Sequence, residues 1–175
     1  MLNRIALFTV FTFVAAAGFA QGGGRPSPAA SASCEVGGGK TIKTDYSSPR
    51  MKGRKIFGDL VPYGEVWRTG ANEATTFVTS GDVVVGGKPV PAGSYTIFTV
   101  PKADKWTLIV NKKTGEWGLA YDGSQDLGKT KMTMSKPSSM VENLLYTITD
   151  NGGGKGTLTL AWEDHSASVP ITVHK

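Results

Sequence analysis

Short apolar–polar alternation, cut at close intervals by glycine, leaves this chain few folds to choose from. Residues 93–100 (GSYTIFTV) set Tyr95, Ile97 and Thr99 on one side and Thr96, Phe98 and Val100 on the other, which is the two-residue period of a strand. The same period puts Trp106, Leu108 and Val110 on one face of residues 105–111. It repeats with Leu144, Tyr146 and Ile148, with Leu158, Leu160 and Trp162, and with Ala167, Val169, Ile171 and Val173. Shorter runs of the same kind occupy residues 40–47, 74–80, 82–85, 88–90 and 129–135, and Gly86-Gly87 reads as a hairpin turn. No stretch after the first twenty residues keeps a helical period over three turns. The 23 glycines and nine prolines punctuate the chain about as often as short strands require. The pattern predicts an all-β fold, a β-sandwich or jelly-roll-like barrel, with a long ordered connection between early strands. Tyr95 or Phe98, Leu108, Leu160 and Trp162 are its expected core.

The first twenty residues follow a different rule. Arg4 supplies a positive n-region, residues 5–17 are an apolar run too short for a comfortable span, and Gly18-Phe19-Ala20 offers small residues before Gln21. This is the three-part pattern of a cleaved secretory signal peptide, which predicts a periplasmic or extracellular protein with no permanent membrane span after cleavage. Residues 21–33, rich in Gly, Pro, Ser and Ala, read as a flexible leader, and residues 34–175 as a single β domain. Cys34 is the only cysteine, so no intrachain disulfide can form. It lies too far past the apolar run for a lipid anchor and is expected as a buried, inert strand residue. The formal net charge of +5 is spread through the chain, apart from the short cluster Arg50, Lys52, Arg54 and Lys55. Charge of this kind favours solubility and mild attraction to anions, not a nucleic-acid partner.

Residues 49–74 (PRMKGRKIFGDLVPYGEVWRTGANEA) break the alternation. Connections this long in compact domains tend to be functional or disordered. Ile56, Phe57, Leu60, Val61, Tyr63, Val66 and Trp67 give this one enough apolar surface to pack on the sheet. The stretches GRKIFGDLVPYGEVWRTGANEAT, PAGSYTIFTVP and KWTLIVNKKTGEWG resemble hallmark segments of an exported bacterial family, domain-of-unknown-function family 2911. The resemblance runs from Thr41 to Val173. It implies an exported β-rich domain and supplies no catalytic residue.

Arg68 and Glu73 are the sharpest pair in the segment. The arginine offers a rigid donor fork suited to carboxylate or phosphate. Asn72 adds a mixed donor and acceptor, and Tyr63 and Trp67 add aromatic faces, with Trp117 in a Gly-flanked loop as a further candidate. These six are the expected ligand-binding residues of a non-enzymatic domain for a small polar or carbohydrate-like ligand, or for an envelope protein. The plainer expectation is that Arg68 and Glu73 form an internal ion pair locking the loop, the commoner use of such residues. A hydrolase using Glu73 or Glu65 with Arg68 is the second functional reading, and a structural or assembly module without a site is the third. No cofactor or metal is implied. His165 and His174 belong to no ligand-spaced motif, and residues 122–126 (DGSQD) are a thin version of a calcium loop. Asp164, His165 and a serine would make a triad only without the usual strained nucleophile elbow.

Overall fold

The computed structural model describes residues 25–173, so the expected signal segment and His174 lie outside the described residues. The strands are β1 (Ala29–Val36), β2 (Lys40–Ser47), β3 (Thr76–Thr79), β4 (Val83–Val85), β5 (Lys88–Val90) and β6 (Gly93–Pro101), followed by β7 (Trp106–Asn111), β8 (Asp126–Ser135), β9 (Val141–Gly152), β10 (Lys155–Glu163) and β11 (His165–Val173). They join in one antiparallel eleven-stranded sheet along the path β1-β2-β3-β6-β7-β8-β11-β10-β9, and the β4–β5 hairpin attaches to the end of β11. The sheet curls until β9 lies against β1 without a ladder between them. The all-β class therefore holds. Its form is a nearly closed barrel on one continuous pairing path, in place of two separately paired layers.

The core follows the alternation. Trp106, Leu108 and Val110 meet Leu158, Leu160, Trp162, Ala167, Val169 and Ile171 inside the barrel, all buried. Tyr95 joins this interior, whereas Phe98 points the other way into a small satellite cluster with Ala74 and Ile109.

One boundary needs correction. Residues 29–33, expected in the flexible leader, pair with β2 in register from Ala29↔Ser47 through Ser33↔Lys43. Ala30, Ala32 and Cys34 alternate inward against the core, ending on buried Val36. The period was present but written in small side chains, whose weak hydrophobicity hides it. Cys34 lies in this strand but is half-buried, less enclosed than the expected buried strand cysteine.

The connection between β2 and β3 closes one end of the barrel. Ile56, Phe57, Val61 and Trp67 are buried there. Glu163, with φ of 56° at the β10–β11 turn, accepts hydrogen bonds from the Ile56 amide at 3.0 Å and the Phe57 amide at 3.1 Å. This carboxylate holds the segment in place. Glu163→Ala would leave two amides of buried residues without an acceptor, an expected loss of about 1–3 kcal/mol in denaturant unfolding. Glu163→Gln keeps one acceptor oxygen and should lose less. Equal stability in all three proteins would show that water replaces the carboxylate.

Candidate functional site

The backbone around Arg68 is fixed from several sides. Trp67 N–H donates to Thr99 O at 2.8 Å and Thr99 N–H returns the bond at 2.9 Å, seating the segment on β6. The Trp67 indole N–H donates to Gly70 O at 3.2 Å. Thr69 is buried with φ of 56°, and its carbonyl accepts from Thr75 Oγ1 and from the Tyr146 hydroxyl, each at 3.0 Å. Burial pushes the Tyr146 phenol far above its ordinary range, so it stays a donor. A residue held between such anchors presents its side chain on a prepared backbone.

Arg68 is half-buried, and its Nε is buried without a hydrogen-bond partner. The stem runs beneath Gly118, where a Cβ would overlap Arg68 Cδ and stand 2.7 Å from the Asn72 carbonyl. Burial lowers the guanidinium pKa from its ordinary value, though an arginine remains charged.

The expected Arg68–Glu73 ion pair is not formed. Glu73 instead accepts from Arg25 Nη1 at 2.9 and 3.2 Å. The bridge between Glu73 and Trp117 sets this residue on the exposed flank of the turn, where the leader reaches it and Arg68 does not. Its carboxyl is held below the usual range by its own backbone amide and then by Arg25. Among the described residues no acid pairs with Arg68.

Arg68 and Trp67 line a cavity of about 330 Å³ between the segment and the barrel end. Arg54, Glu65, Leu60, Val66 and Trp162 also line it. Trp67 and Trp162 stack there, ring centroids 5.9 Å apart, but both rings are buried and offer little free face. Of the other expected site residues, Glu73 borders a neighbouring hollow of about 450 Å³ with Arg25. Asn72, Tyr63 and Trp117 border neither. Asn72 makes the turn itself, with φ of 58° and its amide on Ser47 Oγ at 3.3 Å. Tyr63 lies over Gly58, its phenol raised by burial first and then by Glu163 and Asp164. Trp117 is 60% exposed.

The model of a family described as "Protein of unknown function (DUF2911)" matches residues 27–171. The chain belongs to this family. The DUF2911 match takes in the turn at Arg68, the cavity and every strand from β1 into β11. No curated protein and no solved structure matches the chain.

The other chemistries considered for this DUF2911 chain find their side chains engaged. Asp122 accepts from the Ser124 amide and hydroxyl, and Asp126 accepts from Asn111 Nδ2 and the Tyr121 hydroxyl and pairs with Lys129. The DGSQD stretch is thus a 3-10 turn tied by its own carboxylates. Glu163, Asp164 and His165 bring potential ligand atoms within 4.8 Å of one another, a grouping that sequence spacing did not suggest. Glu163, however, holds the Ile56 and Phe57 amides. Asp164 Oδ1 sits 2.6 Å from His165 Nδ1, yet off the N–H direction, so the nitrogen is close to a carboxylate without hydrogen-bonding to it. Ser135 borders a hollow of about 370 Å³ together with Asp164 and His165, although alternation sets it on the face of its ladder partner Ser166 and no hydrogen bond joins it to His165. No helix of the described residues is long and apolar enough to cross a membrane.

Proposed function

We propose that the protein is an exported, non-enzymatic binding domain for a small polar ligand carrying negative charge, taken up between residues 49–74 and the barrel end. One observation carries the reading. Arg68 is a half-buried guanidinium on a rigid turn, bordering a cavity, with no carboxylate paired to it among the described residues. A cation that is partly desolvated without a partner lowers stability, so its retention on a fixed backbone is best explained by an incoming anion. The three-part N-terminal pattern supports export to the periplasm or the exterior.

Hydrolysis has less support. Glu73 stands outside the cavity, bound to Arg25, and its lowered pKa suits a permanent carboxylate, not a general acid. Glu65 is the one acid that lines the cavity, and glycoside hydrolysis uses two.

Arg68→Ala is expected to change unfolding free energy by no more than about 0.5–1 kcal/mol and to abolish binding to a panel of acidic small molecules, sugar acids included. The Arg68→Ala and Glu73→Ala effects should add within about 0.5 kcal/mol in the double mutant. A loss of several kcal/mol from Arg68→Ala alone, with binding unchanged, would make Arg68 a structural residue and remove the proposal.

A further inference from the structure

Arg54 has a local order that Arg68 lacks. Its Nε donates to Met51 O at 2.9 Å and its Nη2 to Arg50 O at 2.7 Å. Backbone carbonyls fix the plane of this guanidinium but leave its charge unneutralised, and no acid pairs with it among the described residues. Both arginines border the same cavity. Two unpaired guanidinia on one hollow, one with its fork already oriented, form a prepared receptor for anionic oxygens.

Part of the remaining wall is apolar, although Glu65 and Ser27 also line it. Leu60 and Val66 line the cavity and are still 46% and 40% exposed, while Val61 is buried beneath them. Large aliphatic side chains left half in water at the wall of a charged hollow are surface that a ligand can cover. A sugar acid would meet the arginines with its carboxylate, but its hydroxyl-covered ring would find few polar partners along Leu60, Val61 and Val66. An alkyl or aryl body would find apolar surface there. The stacked indoles below are too buried to offer a sugar a platform.

From this pairing we infer that the ligand is an amphiphilic anion: a carboxylate or phosphate head set against Arg68 and Arg54, with an apolar body laid along Leu60 and Val66. The inference rests on the binding function proposed above and names the class of ligand that the same site takes. Carboxylate and phosphate heads share the chemistry that an arginine pair recognises, and the apolar body is what sets this class apart from sugar acids.

The test uses the exported chain and calorimetric titration with butyrate, hexanoate, octanoate, octyl phosphate, galacturonate and galactose, all below micellar concentrations. Affinity is expected to rise about two- to fourfold for each methylene from butyrate to octanoate, as partial to full burial of each group predicts. Octyl phosphate should bind comparably, galacturonate at least tenfold more weakly than octanoate, and galactose not at all. Arg68→Ala and Arg54→Gln should each weaken octanoate at least tenfold. Val66→Ser should flatten the chain-length dependence, weakening octanoate more than butyrate. Galacturonate binding as tightly as octanoate, with both arginines required, would overturn the amphiphile and leave the anion site standing. Chain-length dependence that survives Arg68→Ala and Arg54→Gln unchanged would overturn the assigned head group. No binding by any probe to the folded chain would overturn both this inference and the function on which it rests.

Discussion

Phe57→Ala is expected to lower the unfolding free energy by about 3–5 kcal/mol, the range for truncating a fully buried phenylalanine. The ring is 1% exposed and stands edge-on to Trp106, with centroids 4.7 Å apart, and close to His165 at the same separation. It also faces Trp67 at 6.0 Å and Trp162 at 6.1 Å. Four rings drawn from the connection, β7, β10 and β11 therefore surround one side chain, and edge-to-face contacts add to its area burial. Rigid strands on most sides prevent the site from collapsing, which puts the expected loss in the upper part of the range. Denaturant unfolding with an unchanged slope would measure it. A loss under about 1 kcal/mol would mean that residues 49–74 rest on the barrel without being part of its core.

Leu160→Ala should lose about 2–5 kcal/mol. Leu160 is 1% exposed at the middle of β10, where it pairs with Tyr146 on one side and Ala167 on the other. Both neighbouring strands are held by ladders, so the backbone cannot close over the missing methyls. Phe57 belongs to the connection that caps the barrel, whereas Leu160 belongs to a barrel strand. Binding at the cavity should survive in whatever fraction remains folded, and a variant that loses binding while still folded would tie the cavity to β10 more closely than the contacts allow. A loss below about 0.5 kcal/mol would place the inward face of β10 in solvent.

The strands with large apolar side chains were legible from the sequence because their period is local. Lys40–Ser47, for instance, begins and ends where alternation and glycine put it. β1 was not legible, since Ala30, Ala32 and Cys34 carry the inward face with little hydrophobic signal. The choice between a sandwich and a barrel was equally out of reach, because it depends on which strands pair across long separations, β3 with β6 and β8 with β11. The candidate site was half legible. A long connection dense in aromatic and charged residues singled out Trp67 and Arg68, and both line the cavity. The partner of Glu73 was not readable: it is Arg25, 48 residues upstream, in a stretch whose composition suggested no contacts. Sequence proximity favoured Arg68 for that role, but the turn at Thr69 and Asn72, both with positive φ, sends the two side chains apart. Trp162 lines the cavity, and Glu163 beside it accepts from the Ile56 and Phe57 amides more than a hundred positions away, a juxtaposition sequence cannot show. Arg54 was noted as a member of a basic cluster, and the signal for its role, two backbone carbonyls within reach of one fork, exists only in three dimensions.

The seam between β1 and β9 makes the barrel unequal in its resistance to opening. Every strand in the middle of the path is gripped on both edges, whereas β1 is hydrogen-bonded to β2 alone and turns only Ala30, Ala32, Cys34 and Val36 to the interior. Detaching it exposes little apolar area, so its amide protons should be among the first of the sheet to exchange with solvent, well before those of β7 or β10. Such a partial opening has an effect beyond the strand. Arg25 and Ser27 lie just ahead of β1, the first clasping Glu73 and the second lining the cavity. Detachment of β1 is therefore expected to loosen the Arg25–Glu73 clasp and to draw Ser27 away from the cavity wall.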